Sequence, residues 1–345
     1  MRCFRSLSLA AAIATLISLS ACGDASNNGN TSSPSANTSP AASASPVAST
    51  SSTETTAHNH GGGKKININS AILSELDKLE AKLGIPALSN KIQGSRPYAS
   101  PEELVSKKVI SQPQFDQIKD MVTIEDVVLT GEAKDVDYMT KLGLMKGHLI
   151  VAQELLDGQL PKQAEPHIGH PVEEIYVDVE EQLQERNVKE FKTTLIGLQD
   201  LVKANPKDAK VKTNFASSMQ AVDTAIAGLP EAQRSSPKFV LQVINGLLDA
   251  ANSEYGAAIA NGKVSAAIEY QDSRGFVNYA DSLYKNISGQ MAKENPEAHK
   301  AISDSMTQLK TAWPSVTAPA APVKTPQQVS QLIKTIEQNA QKVIK

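Results

Sequence analysis

The chain has 345 residues, with 34 Lys and Arg against 37 Asp and Glu, and 40% hydrophobic but only 4% aromatic side chains. A formal charge of −3 and the lack of a basic stripe exclude a phosphate-steering surface, so nucleic acid is not an expected partner. The first 65 residues read as an export signal and a low-complexity tether, which leaves about 280 residues for one large folded unit or two modest ones.

Arg2 and Arg5 precede a mostly apolar stretch, Leu7 to Leu19, that is short for a membrane span and has the form of a cleaved signal. Leu19-Ser20-Ala21-Cys22 follows and resembles the lipobox of bacterial lipoproteins. That resemblance implies cleavage after residue 21, acylation of Cys22 (palmitate or a similar chain) and attachment to a lipid bilayer in the cell envelope, facing the periplasm or the outside. Each buried methylene contributes about 0.8 kcal/mol, so two or more acyl chains hold a protein stably at a membrane. Cleavage also removes Cys3, so the mature chain has no free thiol for disulfide or metal chemistry. Loss of Arg2 and Arg5, two positive charges, takes the side-chain charge from −3 to −5.

From Cys22 to residue 65 the composition is Ser, Ala, Thr, Asn and Pro, closing on His58-Asn59-His60 and three glycines, a tether with too little apolar surface to fold. From Ile66 to Lys345 helical spacing dominates, and an all-α fold is expected. Ile68, Ile72, Leu76, Leu79 and Leu83 make the first stripe, ended by Gly84 and Pro86. A looser segment spans 91–101, then a helix is predicted over 113–129 through Phe115, Ile118, Val122 and Val128. The next pattern, 134–157, carries Tyr138, Leu142, Met145, Leu149, Ala152 and Leu156, and ends at Gly158-Gln159-Leu160-Pro161, a helix-stopping glycine and a helix-starting proline. Residues 162–185 look helical, with Pro166 and Pro171 expected to break or kink the run. Further helices are predicted over 188–204, 208–227, 237–260, 263–287, 295–310 and 326–345, with an extended Pro/Ala-rich segment at 313–325. Short connections between so many helices imply an antiparallel helical bundle or two packed four-helix-type bundles, with a candidate sub-domain boundary at 205–236.

Three of the body's four histidines, His148, His167 and His170, fall within 23 residues. His148 interrupts the apolar stripe Leu144-His148-Val151-Leu155, where a polar ring must find a partner. Helical spacing sets His170 beside Glu173 and Glu174, and an imidazole and a carboxylate on one face can share a metal ion. A second group is acidic: Glu254 interrupts Leu247-Ala251-Ala258, and Glu269 and Asp272 stand with Phe276 and Leu283. Glu254 and Glu269 lie 7.5 residues either side of the midpoint of Asn261-Gly262, so at 1.5 Å per residue both sit about 11 Å from that turn. His148 and His170 lie 11 residues either side of residue 159. Two hairpins, one bearing imidazoles and one carboxylates, can thus assemble a mixed nitrogen and oxygen site for iron or another divalent or trivalent transition metal. The candidate ligands are His148, His170, Glu173, Glu174, Glu254, Glu269 and Asp272, with His167, Tyr255, Tyr270 and Arg274 as supporting groups.

The lipoprotein signal, the all-helical body and the pair His170-x-x-Glu173 together resemble the imelysin-like and EfeO-type periplasmic proteins. That resemblance covers mainly residues 135–290 and implies paired four-helix bundles, an association with iron uptake and a metal-binding role for His170 and Glu173. The family's Gly-x-His-x-x-Glu pattern is met imperfectly, because Ile168 stands two before His170 and the glycine is Gly169. Two roles are therefore expected. One is a tethered metal-binding protein that acts without turnover, with an extracytoplasmic protein or transporter as partner. The alternative is a structural or interaction lipoprotein whose His and Glu residues form a buried network without metal, with Arg274 as a cation for Asp272. Peptidase chemistry has little support, since His-Glu-x-x-His, a Gly-x-Ser-x-Gly elbow and a mature cysteine nucleophile are all missing from the sequence.

Overall fold

Apolar residues at helical spacing give the chain its architecture: the computed structural model, which describes residues 65–126 and 128–345, is all-α apart from two pairs of two-residue strands. The signal over 1–21, the acylated Cys22 and the tether through residue 64 lie outside the described residues. Among those described, no helix is long and apolar enough to cross a membrane.

The N-terminal segment has its own small core, built on Ile68, Leu76, Leu79, Leu88, Leu104 and Ile118. It runs β1 (Ile66–Asn67), α1 (Leu73–Leu83), α2 (Leu88–Gly94), α3 (Glu103–Ser106), α4 (Gln112–Ile118) and β2 (Val122–Thr123), with β1 and β2 parallel and Ile66 opposite Val122. Two expectations are corrected here. The first helix starts at Leu73 rather than near Ile68, because the Asn67 side chain accepts the Asn69 N–H at 2.9 Å and holds the chain in a turn. The helix predicted over 113–129 stops at Ile118, because Val122 and Thr123 are taken up by pairing with β1; Val128, placed on its apolar stripe, is 84% exposed.

Two sets of four helical rods follow. In the first, α5 (Gly131–Asp157) packs on α6 (Pro161–His170), α6 on α8 (Lys192–Ala204), α8 on α9 (Lys210–Ile226), and α9 back on α5. In the second, α11 (Pro237–Ala258), α12 (Ala267–Glu294), α13 (Pro296–Lys310) and α14 (Pro326–Ile344) close the same kind of ring. Residues 227–236, with the short α10 (Glu231–Arg234), join the sets, and α5 packs against both α11 and α12. One continuous apolar core fills both sets.

The prolines act in two ways. Pro161 opens α6 at a position where no amide donor is needed, while Gln159, not Gly158, takes the left-handed conformation that ends α5 (φ 57°). Pro171 neither ends nor sharply breaks the run. A single π-helical turn, Pro171–Ile175, carries the chain from α6 into α7 (Tyr176–Glu185), and the Tyr176 N–H reaches back five residues to the Pro171 carbonyl. The connection from α11 to α12 is also not a simple helical turn. Asn261 and Gly262, both at positive φ, close the antiparallel strands β3 (Ile259–Ala260) and β4 (Lys263–Val264), whose pairing is centred on the same midpoint as the helix-to-helix register.

Candidate metal centre

The candidate site sits where the two helical sets meet. Helices α5 and α12 approach backbone to backbone at Gly147 and Gly275; a Cβ at Gly275 would overlap the Gly147 carbonyl, and one at Gly147 would lie 2.6 Å from the Phe276 ring. His148 follows one of these glycines and Asp272 lies one turn before the other, so the close approach turns them toward each other. His148 Nε2 is 3.4 Å from Asp272 Oδ1, and Phe276 packs edge-on against the imidazole with ring centres 5.0 Å apart.

Helix α6 brings His167 and His170 in from the other side, one turn apart. His167 Nδ1 lies 2.7 Å from Asp272 Oδ1, and His170 Nδ1 lies 3.4 Å from Asp272 Oδ2. The His148 and His170 rings meet edge to face at 5.4 Å. One donor atom each from His148, His170 and Asp272 all lie within 4.8 Å of one another, a buried cluster compatible with a metal ion. Two imidazoles and one carboxylate form a donor set suited to first-row transition metals, iron(II) among them.

Hydrogen bonds fix the role of each ring. The Leu144 carbonyl, 2.9 Å away, accepts the Nδ1–H of His148, which leaves the Nε2 lone pair facing the cavity. Burial pulls the pKa of His148 down to about 4 against the attraction of Asp272, so the ring is neutral and ready to ligate at neutral pH. His167 is held differently. Gln271 donates its amide to the Val316 carbonyl (3.2 Å), which turns Gln271 Oε1 toward His167 Nε2 (2.9 Å) as an acceptor. With Asp272 on its other nitrogen, the fully buried His167 positions the carboxylate and turns neither ring nitrogen to the cavity. Burial lowers His170, but its contact with Asp272 and the charges of Glu174 and Glu173 outweigh it and bring the group up to about 9. Burial alone would raise Asp272; the surrounding imidazoles hold it well below the usual carboxylate range. A bound ion would replace the proton on His170.

The cluster forms one end of a cavity of about 40 Å³, room for an ion and little else. Its other walls carry Glu254 from α11, Glu269 from α12, Glu174 from the π turn and Asp77 from α1, and no lysine or arginine is among the residues lining it. Burial, reinforced by the neighbouring acids, pushes Glu254 well above its ordinary value. Burial likewise takes Asp77 up to about 7 despite a hydrogen bond from Ser89, and Glu174 up to about 7 despite His170; it also raises Glu269. The acids of this cavity thus hold their protons more tightly than carboxyl groups in water. Sequence reasoning missed Asp77: it borders the α1 stripe one position after Leu76, but its partner Glu254 is 177 residues away and only the tertiary fold joins them.

The structure brings His148, His170, Glu174, Glu254, Glu269 and Asp272 to one cavity and places the other expected residues elsewhere. Glu173 is exposed and does not line it. The wide π turn needs an extra residue to come round, so Glu174 rather than Glu173 returns to the side of His170. Tyr255 and Tyr270 turn their hydroxyls to the 313–325 segment, donating to the carbonyls of Lys324 (2.8 Å) and Ser315 (3.2 Å). Arg274 pairs with Glu154 at 2.8 Å and donates to the Trp313 carbonyl at 2.6 Å, so it is not the cation for Asp272.

The run Tyr270-Gln271-Asp272-Ser273-Arg274-Gly275-Phe276 acts as a clasp. Tyr270, Gln271, Ser273 and Arg274 hold the Pro/Ala-rich segment, Ser273 by accepting the Trp313 indole N–H at 2.8 Å. Asp272, Gly275 and Phe276 from the same helix face α5 and α6, so one stretch of α12 fixes both the site and the strap behind it.

With this geometry in place, comparison with known families adds a direction. Residues 230–345, which span α11 to α14, match the iron permease-associated 4-helix bundle domain. That match includes Glu254, Glu269 and Asp272 but not the histidines of α5 and α6. No curated protein and no solved structure gives a significant match.

Proposed function

We propose that this chain is an extracytoplasmic metal-binding protein, tethered to a membrane through an acylated Cys22, that takes up an iron-class transition-metal ion as cargo and does not turn it over. The observation that carries the reading is the convergence of His148, His170 and Asp272 within 4.8 Å at a buried junction of helices. The match of residues 230–345 to an iron permease-associated domain favours iron among the metals this donor set accepts, and a membrane permease as the partner. The resemblance of His170-x-x-Glu173 to the imelysin-like and EfeO-type proteins points the same way, although Glu174 rather than Glu173 lines the cavity.

A second reading keeps the same residues as a metal-free polar network in an interaction lipoprotein. It is favoured by one observation: Asp272 has a buried protein partner in His167 at 2.7 Å, whose ring is in turn fixed by Gln271. Metal analysis of the untagged full-length chain, followed by melting curves with and without a chelator, separates the two. The metal reading predicts one ion per chain and a melting temperature that falls by several degrees when the ion is stripped, since ligand at 100 times its Kd stabilises by about 2.7 kcal/mol. Chain that takes up neither iron nor any other transition metal, with unchanged melting, would reject it.

A further inference from the structure

The strap over residues 313–325, between α13 and α14, is fastened almost entirely by side chains of other elements. Among the described residues, 314–324 make no backbone-to-backbone hydrogen bond. The carbonyls of Trp313, Ser315, Val316 and Lys324 accept instead from Arg274 (2.6 Å), Tyr270 (3.2 Å), Gln271 (3.2 Å) and Tyr255 (2.8 Å), and the Trp313 indole N–H donates to Ser273. Four of these five partners, Tyr270, Gln271, Ser273 and Arg274, are the two residues before and the two residues after Asp272. No residue of the strap lines the cavity, yet the strap is tied to both sides of one of the candidate ligands.

The tie reaches the site through Gln271, which is buried at 1% exposure. Its Nε2 donates to the Val316 carbonyl and to Gln163 Oε1 at 2.9 Å. A backbone carbonyl can only accept, so Val316 decides which end of the amide faces it and which end is left for His167. Gln271 Oε1 accordingly meets His167 Nε2 at 2.9 Å, and the other nitrogen of that ring lies 2.7 Å from Asp272 Oδ1. Val316, Gln271, His167 and Asp272 thus form a continuous chain of hydrogen bonds from the strap to the carboxylate.

We propose that the strap and the ion are linked. The seated strap holds Asp272, through Gln271 and His167, in the position that binds the ion; the bound ion in turn holds the strap shut, and lifting the strap lowers the affinity of the site. Such linkage is reciprocal by thermodynamic necessity, and a stretch without backbone partners is where a fold opens at least cost. It gives the protein a place outside the cavity from which a bound ion is released. The inference rests on the metal-binding reading above and adds to it a means of release. Gln271 is a positioning residue, because it touches His167 and does not line the cavity.

Lys324 is the one lysine or arginine within the strap, so trypsin cutting at Lys324-Thr325 reports its opening. Limited digestion of the full-length chain, read bond by bond by mass spectrometry, tracks the population of the open form when reclosing is fast. The control bond follows the exposed Lys207, in the connection between α8 and α9. The ion is whichever of Fe²⁺, Co²⁺ and Zn²⁺ binds most tightly by calorimetry. An ion that bound only the seated form would, at 100 times its Kd, lower the open population by about 100-fold. Loading should therefore slow cutting after Lys324 by at least about 10-fold and leave cutting after Lys207 unchanged. Gln271→Met, similar in length but unable to bond to Val316 or His167, should weaken ion binding by about 10-fold. At saturating ion it should also lose the protection, with cutting after Lys324 within about 2-fold of its ion-free rate. Unchanged cutting after Lys324 in loaded wild type would overturn the proposal; so would equal slowing at Lys207, or full protection in Gln271→Met. The wild-type comparison needs no variant and decides the matter even if Gln271→Met does not fold. Wild-type chain that takes up none of the three ions is a different result, which removes the metal-binding reading and the linkage with it.

Discussion

The two ends of the cavity are built on opposite principles. At the inner end each polar group has a defined partner: His148 is locked by the Leu144 carbonyl, His167 by Gln271 and Asp272, and Asp272 by imidazoles. At the outer end acids face acids, and burial holds Asp77, Glu174 and Glu254 above their ordinary values. A folded protein tolerates an unbalanced cluster of this kind when something positive completes it. On the metal-binding reading, the inner end is the place of coordination, and at the outer end the acids hold protons that an arriving cation would displace.

The sharpest way to break this contrast is at the inner end. Replacing His148 and His170 together by Ala should abolish high-affinity binding, a loss of at least 100-fold by calorimetry. Asp272→Asn should do the same and also destabilise the apo-protein by about 3–5 kcal/mol in urea, because it strands the buried His167. If binding survives either change, the inner end is not the centre.

A backbone change comes next. Gly275→Ala puts a methyl into the Gly147 carbonyl and must separate α5 from α12. Overpacking of this kind costs about 1–3 kcal/mol, and moving His148 from Asp272 should weaken metal binding by roughly 10-fold. Unchanged melting and affinity would mean that the crossing does not set the site.

The outer end should respond with the opposite sign. Asp77→Asn should stabilise the apo-protein, by an amount on the order of 1–2 kcal/mol at pH 8. The sign follows from the raised folded-state value of about 7: the folded wild type binds its proton more tightly than the unfolded chain, so its stability falls as pH climbs from the ordinary carboxyl range through about 7. The gain in the variant should therefore vanish near pH 4. A polar network that exists for stability predicts destabilisation instead.

The smallest effect belongs to the tyrosines. Tyr255→Phe and Tyr270→Phe should each cost about 1 kcal/mol through the lost bonds to Lys324 and Ser315, with metal affinity and spectrum unchanged. A lost absorption band would show a phenolate on the ion after all.

Much of the helical framework follows from local pattern, since stripes such as that of α5 and the Asn261-Gly262 turn specify element and register over a few residues. The symmetric spacing of Glu254 and Glu269 survives although strands replace the helical turn, because the pairing keeps the same centre. What local pattern does not carry is long-range: Val122 and Thr123 look helical until Ile66 and Asn67 are available to pair with them. Asp77 is an unremarked acid on α1 until α11 packs beside it. Gly143-x-x-x-Gly147 was available in the sequence as a signal of close helix approach, and with Gly275 it explains why His148 meets Asp272. Pro171 announced a disturbance, but only the π turn decides that Glu174 and not Glu173 faces His170.

The central claim is that imidazoles from α5 and α6 and a carboxylate from α12 hold one ion. An X-ray absorption spectrum of the iron-loaded full-length chain tests it most directly. The expected result is one iron per chain in a shell of nitrogen and oxygen with the outer scattering of two imidazoles, lost in the His148→Ala/His170→Ala double variant. Iron surrounded by oxygen alone, or a spectrum indifferent to the double variant, would contradict it.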